Sequence, residues 1–438
     1  MTVTAEYAAK GLPPMPAPTG EAHDHATHFL LELARALHVH GTPANRLETA
    51  LESVAARLGL IAQFFSTPTS IMVGIGDSPH QHVHLLRVEP GAPNLGHLSQ
   101  LSDITRDVVE GKSNPVEGSA RIADLLSAPA RWPTYLRLIA YVLSSAAIAC
   151  FLKVNAIDVA VAALLGLVTG CVELVSRRRA AWSHGADMLT AFLVSTLAFT
   201  FDVFTHNQSG YLTSLAGLVV LLPGLTLTVA LTELSTRHLA SGTARLMGTL
   251  VVFLGLGFGI ALGARFGAVI GGQLAPLFGI THATLAMPAA ALAQNGNLPA
   301  WTEWAALLVA PMAFMVLLNA DRRDAGSILV ACVLAYATSQ IAGRSLGEEL
   351  GAFLAALVVS AGSNVNARIM RRSAMVTVTP GLLILVPGSI GFRSVTSMLG
   401  QDVDTGIATA FRVALIGISL AAGILAGNII TDAYDRRA

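Results

Sequence analysis

The stretch LVVLLPGLTLT (218–228) places Pro223 and Gly224 in the middle of a run that is otherwise apolar enough for a membrane interior. These are the poorest helix residues, by about 3 and about 1 kcal/mol relative to Ala. Pro has no amide hydrogen, and its ring clashes with the preceding turn. A break at the centre of an apolar run frees backbone N–H and C=O groups where lipid offers them no partner. Such a break is tolerated only where it lines a cavity or is buried in protein.

The composition around this stretch fits a membrane setting. Of 438 residues, 53% are hydrophobic and 12% charged, with a mean hydropathy of +0.62. Soluble domains carry about 25% charged residues. Lys and Arg (27) balance Asp and Glu (27), so charge makes no case for nucleic acid as a partner. Cys150, Cys171 and Cys332 lie in apolar runs and read as small buried residues, not as disulfide partners or metal ligands.

A bilayer core needs about 20 apolar residues per helix. The pattern predicts a polytopic α-helical membrane protein with ten transmembrane helices, near 134–152, 156–175, 186–204, 211–232, 244–264, 302–319, 325–342, 349–366, 375–395 and 407–430. Loop charges agree with this count when the N-terminus is inside. Arg131, Arg137, Arg177, Arg178, Arg179, Arg237, Arg245, Arg322, Arg323, Arg368, Arg371, Arg372, Arg436 and Arg437 then lie on the inner side. Only Lys153, Arg265, Arg344, Arg393 and Arg412 lie outside.

Residues 265–300 read as an outer linker, re-entrant or interfacial, between a first five-helix repeat (129–264) and a second (301–438). LLILVPGSIGFRSV (382–395) repeats the pattern of LVVLLPGLTLTVAL (218–231). Pro387 follows Pro223 by 387 − 223 = 164 residues, and Gly406 follows Gly242 by 406 − 242 = 164. Because five is odd, the second repeat would enter the membrane inverted. Paired Gly/Pro-broken segments in inverted repeats are the sequence pointer to a transporter's substrate site.

Ahead of the spans, residues 1–28 read as a disordered tail without the apolar core of a signal peptide. Residues 29–128 read as a small cytosolic α/β domain. NRLETALESVAARLGL has Leu47, Leu51, Val54 and Leu58 on one helical face, and AQFFSTPTSIMVGIG and HVHLLRVEP alternate like strands. His80, His82 and His84 would share a strand face, but no Cys or acid accompanies them. They read as a solvated face, and no metal is expected. No Walker-type phosphate loop occurs, so no ATP-driven pump is expected.

HGTPANRLE (40–48), LGL (58–60), STPTS (66–70), LLPGLTLTVALTELSTRHLASGTAR (221–245) and TPGLLILVPGS (379–389) stand in an order and spacing that resembles the threonine/serine exporter family of bacterial membrane proteins. The resemblance runs from about 29 to 430. It implies a cytosolic N-terminal domain and ten helices in two homologous halves. The implied function is secondary export of threonine, serine or similar small amino acids, driven by the proton-motive force. Some relatives carry the halves on separate chains and export dicarboxylates such as succinate, which gives an alternative cargo.

The implied setting is a bacterial inner membrane, with multiple passes and both termini cytoplasmic. The expected partners are a small amino-acid substrate, protons and the lipid bilayer, with a homo-oligomer left open. No nucleic acid and no cofactor are expected, and the chain is not expected to be an enzyme. A rival reading puts the activity in the N-terminal domain, as a membrane-anchored sensor or enzyme. After the first Pro-Gly the family pattern has an Asp, a Gly a few residues on, and an Arg twelve beyond the acid. Here the acid is Glu233 and the Arg is Arg245, while Arg237 or a neighbour replaces the Gly.

Two groups of candidate residues follow. Pro223, Gly224, Thr226, Thr228, Pro387, Gly388, Ser389 and Arg393 are candidates for the substrate site. Hydroxyls beside exposed backbone suit a zwitterion, although Ser and Thr also bond back to their own helix, and Arg393 can snorkel outward. Glu233, Arg245, Asp187, Asp202 and Glu173 are candidates for proton transfer or ion pairing. Glu233 and Arg245 also read as an inner-boundary pair, Glu173 as the partner of Arg177, and Asp187 as a helix N-terminal acid. Asn364 and Asn366 read as interfacial.

Overall fold

The computed structural model describes residues 18–77, 80–176, 185–205, 209–278, 298–385 and 403–435. Helix α1 (Glu21–Val39) turns Phe29, Leu30, Leu33 and Ala36 to one buried side. The tail expected over 1–28 therefore gives way to helix at Glu21, and Ala26 is already buried. The polar residues that read as a tail include Glu21 and Asp24, which suit the positive end of a helix in its first turn.

Helix α2 (Ala44–Arg57) buries Leu47, Leu51 and Val54 against α1. Strands β1 (Ala62–Thr67), β2 (Ser70–Ile75) and β3 (His82–Arg87) form an antiparallel sheet in that order. Ile71, Val73 and Ile75 of β2 alternate into the same core. Helices α3 (Leu95–Val109) and α4 (Pro115–Ser127) close it with Leu101, Ile104, Val108 and Ile122. Asn94 caps α3, and Asn114 with Glu117 forms a capping box on α4.

Among the described residues, apolar helices fall in the predicted segments, the segment 375–395 being described only to residue 385. They are α5 (Thr134–Phe151), α6 (Ala156–Ser176), α7 (Ala186–Thr205), the pair α8 (Gly210–Gly217) and α9 (Gly224–Ser235), α10 (Leu239–Leu274), α11 (Trp301–Leu317), α12 (Ala325–Leu346), α13 (Glu348–Met370), α14 (Met375–Leu385) and α15 (Val403–Asp435). Among the described residues, seven helices are long and apolar enough to cross a membrane, or eight if the bent pair at α8 and α9 is one span. That make-up fits a polytopic membrane protein. Helices α11 and α14 have 17 and 11 described residues, short of the roughly 20 a span needs.

The linker expected to begin at 265 begins later, because α10 runs on to Leu274. Its 36 residues span about 54 Å at 1.5 Å per residue, more than a bilayer core. A glycine row explains the extension. Gly259, Gly263, Gly267 and Gly271 recur every four residues and let α10 lie against the backbone of α7 from Met188 to Val203. The second half repeats the contact, with Gly423 and Gly427 of α15 against Phe353, Ala356 and Ser360 of α13. The offsets, 423 − 259 = 164 and 427 − 263 = 164, equal that between the Pro-Gly pairs. Of the cysteines, Cys332 is buried as expected, but Cys171 is exposed on the outside of its helix.

Four helix ends lack glycine where it is most common. Lys153, Arg237, Asn319 and Arg371 have φ between 52° and 65°. At each, the next residue donates its N–H five residues back: Val154 to Ala149, His238 to Glu233, Ala320 to Met315 and Arg372 to Ala367. These left-handed closures satisfy helix carbonyls that have no intrahelical partner. Three of the four residues are cations, which suits the negative end of a helix.

The glycine row makes a test. Gly263→Leu would drive a side chain into the Phe192 carbonyl and Ser195, and it should cost about 1–3 kcal/mol as overpacking. A Cβ at Gly248 meets nothing within 4 Å, so Gly248→Ala should hold or raise stability. Thermal unfolding of both variants in detergent checks the contrast.

Candidate functional site

The Pro-Gly break stands at the start of a half-helix. After α8 the chain makes one tight turn at Val219–Leu221 and passes Pro223 (φ −82°, ψ 40°), and α9 starts at Gly224. The chain bends by 59° between Gly210–Gly217 and Val219–Ser235, at Leu218, so the bend falls five residues ahead of Pro223. The first-turn amides of a helix have no intrahelical acceptor, and here Leu225 and Thr226 of that turn face a cavity.

That cavity has a volume of about 730 Å³. Its wall includes Val219–Pro223 and Thr226 at the break, Glu173 and Asp187 from α6 and α7, and both ends of α5, from Arg137 to Phe151 and on to Lys153. Residues 137 and 151 lie about 21 Å apart along a helix, so the cavity runs most of the way across a bilayer core. One end abuts Ala92 and Pro93 of the N-terminal elements. At the other end, Lys153 Nζ lies 2.9 Å from Glu303 Oε1, and Tyr336 donates to Glu303 Oε2 at 2.9 Å.

A second cavity of about 140 Å³ lies between α2, α9, α14 and α15. Leu225 and Thr226 line both cavities. Among the described residues the Thr226 hydroxyl has no hydrogen-bond partner. The Thr228 hydroxyl donates to the Gly224 carbonyl at 3.2 Å, so it bonds back along its own helix.

Beside this cavity, Glu233 is fully buried, at 0% exposure. Arg245 grips it with two bonds, Nε to Oε2 at 3.1 Å and Nη2 to Oε1 at 3.2 Å. Ser241 donates to Oε2 at 2.9 Å. The fourth donor is the Ala44 backbone N–H, which reaches Oε1 at 2.9 Å from the first turn of α2. Pro43 precedes α2 and gives it no side-chain cap, so Glu233 supplies the anion that this helix end lacks. A buried carboxylate with four donors is a satisfied charge, in place of the loose boundary pair that spacing alone allowed. Arg237, where the family pattern has Gly, is the residue held at φ 65° in the turn between Glu233 and Arg245.

Further bonds dock the N-terminal elements beside it. Glu48 accepts from Ser66 N–H and Oγ and faces His238 Nε2 at 3.3 Å. The Leu95 and Gly96 amides at the start of α3 donate to the Leu318 and Asn319 carbonyls at the end of α11. Trp132 Nε1 donates to the Ala320 carbonyl, and Arg131 pairs with Asp321 at 2.6 Å.

The structure brings Pro223, Thr226, Glu173 and Asp187 to one cavity, and Thr226, Thr228 and Arg245 to the other. It sets Asp202 apart, where its carboxylate accepts the Ser209 N–H at the entry to α8. Pro387, Gly388, Ser389 and Arg393 lie outside the described residues, as does Arg177. Asn364, expected near the interface, is packed inside the protein. It is buried, and its amide donates to Asn428 and Thr431 of α15. Sequence reasoning missed Asn45 and Arg46, which line the smaller cavity, and the Glu303–Tyr336 pair. Asn45 and Arg46 sit inside HGTPANRLE, and that was their one sequence signal.

Comparison with known families matches this layout along most of the chain. The model described as "Putative threonine/serine exporter" matches residues 28–267, and that described as "Threonine/Serine exporter, ThrE" matches 303–430. The chain belongs to the threonine/serine exporter family. Membership and the long apolar helices together fit a multi-pass membrane protein.

Relatives include proteins named "Pheromone-regulated membrane protein 10". The one from Candida albicans (strain WO-1) is 26% identical over 84% of this chain and 33% of its own length. That from Saccharomyces cerevisiae (strain YJM789) is 26% identical over 84% and 46%, and that from Debaryomyces hansenii 24% over 94% and 42%. The chain thus spans less than half the length of these relatives. They are yeast proteins, so they speak for a membrane but not for a bacterial one. No solved structure matches the chain.

Two tests follow from this geometry. Glu233→Gln leaves the part-buried Arg245 without its counter-charge and should cost up to about 3 kcal/mol, read as a lower melting temperature of the full chain in detergent. An unchanged melting temperature would reduce the pair to an incidental one. The second test concerns His40, whose Nε2 lies 3.0 Å from His97 Nδ1. Burial, then the neighbouring His97, pushes its pKa down from 6.5 to about 4. Between those values the unfolded chain binds a proton that the folded chain refuses, so stability falls as pH drops from 6.5 towards 4. Thermal unfolding across that range should show the loss, and His40→Asn should reduce it, with His38 and His97, whose pKa values burial also lowers, keeping the remainder.

Proposed function

We propose that the chain is a secondary exporter of small amino acids, threonine and serine, driven by the proton-motive force. The carrying observation is the 730 Å³ cavity that follows α5 from Arg137 to Lys153 and takes the Pro223 break as part of its wall. A half-helix whose N-terminus opens on such a cavity is how transporters present backbone donors to an anionic group. Glu173 and Asp187 face the same cavity and are the carboxylates on which a coupled proton would travel.

In this reading the protein has ten spans in two inverted five-helix repeats, with the N-terminal α/β domain and both termini in the cytosol. The glycine contacts repeated at an offset of 164 support the repeat, and the Arg-rich loops support the orientation. The two halves rock about a site near the broken helix, with the Lys153–Glu303–Tyr336 cluster closing the far end.

The test is efflux from proteoliposomes preloaded with labelled threonine, serine or succinate, with and without an imposed pH gradient. Gradient-dependent efflux of threonine and serine is the expected result. Thr226→Val should slow it about 5-fold, the worth of one hydrogen bond, and Asp187→Asn should remove the gradient dependence. Efflux of succinate alone would reassign the cargo to dicarboxylates. If correctly folded protein moved none of the three, the exporter reading would be overturned.

A further inference from the structure

The smaller cavity holds a charge that the established architecture does not use. Arg46, in the first turn of α2, lines it, and among the described residues no acid or hydrogen-bond acceptor meets its guanidinium. Burial alone lowers its pKa, with no countercharge to offset the effect. Arg46 is half-buried and stays protonated, so its charge is partly desolvated without a partner from the protein. Its neighbour Asn45 shows the complementary lack, since Asn45 Oδ1 is buried with no hydrogen-bond partner.

Around this pair stand Thr226 and Thr232 of α9, Thr379 of α14 and Asn428 of α15. Arg245 also reaches the cavity, but Glu233 already neutralises it. No Asp or Glu lines the cavity among the described residues. The site therefore offers one unmatched guanidinium, which also borders a smaller cavity of about 40 Å³ beside Thr42 and Ser102, and one side-chain amide whose oxygen has no donor.

We infer that Asn45 and Arg46 form a headgroup clamp for an α-amino acid, so that the N-terminal domain supplies part of the substrate site. The Arg46 guanidinium takes the α-carboxylate, and the Asn45 side-chain oxygen takes a hydrogen from the α-ammonium. A planar guanidinium is matched to a carboxylate in this way. A volume of about 140 Å³, below the ~300–1,000 Å³ of pockets for drug-sized ligands, restricts the occupant to a small molecule. Thr226 and Leu225 border both cavities, so a molecule held by the clamp lies next to the larger cavity at the broken helix.

This inference rests on the exporter reading for the identity of its ligand, and the clamp is tested apart from it. In proteoliposomes of the full chain, Arg46→Gln should raise the KM for threonine about 10- to 100-fold, as expected for loss of a charged hydrogen-bond pair, and Arg46→Lys should fall between. Wild-type transport should be competed weakly by threoninamide, which lacks the carboxylate, and by 3-hydroxybutyrate, which lacks the ammonium. Asn45→Ala should erase the preference for threonine over 3-hydroxybutyrate while keeping that over threoninamide.

A normal KM and normal discrimination in a folded Arg46→Gln protein would overturn the clamp and leave the exporter reading intact. If the wild type exports no amino acid, the exporter reading fails, and the clamp is decided by ligand-induced thermal shifts in detergent. A threonine shift present in wild type and lost in Arg46→Gln would uphold it, and no shift with threonine or serine would overturn it.

Discussion

The carboxylate of Glu233 is buried completely, and a buried charge is tolerated only when it is paired and fully hydrogen-bonded. Much of the local architecture follows from meeting that demand. Arg245 must come back to the acid twelve residues later, so the chain between α9 and α10 turns sharply, and Arg237 takes a left-handed conformation that a residue with a Cβ resists. Ser241 fills one remaining site on the carboxylate. The last site goes to the Ala44 amide, which ties the start of α2 to the end of the broken span. One side chain thereby couples the N-terminal elements to the helix that borders both cavities.

The same logic governs the other junctions. Helix ends leave amides and carbonyls without partners, and this chain matches one helix's surplus donors to another's surplus acceptors. The amides that open α3 meet the carbonyls that close α11. Four helices seal their own last turns through left-handed residues, three of them cationic. At the Pro223 break α9 starts without a side-chain cap, and Leu225 and Thr226 of its first turn line a cavity. The first-turn amides of such a helix have no intrahelical acceptor, which makes the break a place for a polar ligand.

The close approach of α7 to α10, and of α13 to α15, supplies the rigid frame around these features. Without side chains at the glycine positions, backbones touch over several turns, and dispersion takes over where apolar lipid gives no hydrophobic drive. The bend, the Thr226, Thr228 and Thr379 hydroxyls and the buried Glu233 carboxylate sit on the shorter α8, α9 and α14.

Apolar helical segments, the break at Pro223 and the Glu233–Arg245 pair were legible in the sequence. Apolar run length, Pro-Gly disruption and a twelve-residue spacing are local properties of the chain. It also showed the 164-residue offset that the glycine contacts share. Local pattern failed at boundaries and partners. Helix α1 begins inside what read as a tail, and α10 outruns its apolar window because packing on α7 continues past Arg265. Asn364 reads as interfacial beside Arg368, yet it is buried by α15.

Only the tertiary structure set Asn45 and Arg46 next to Thr226, 180 residues on, and joined Lys153 to Glu303 and Tyr336. Whether a polar side chain is satisfied depends on which distant faces meet it. Hydrogen bonding and desolvation act over a few ångströms of space, regardless of distance along the chain.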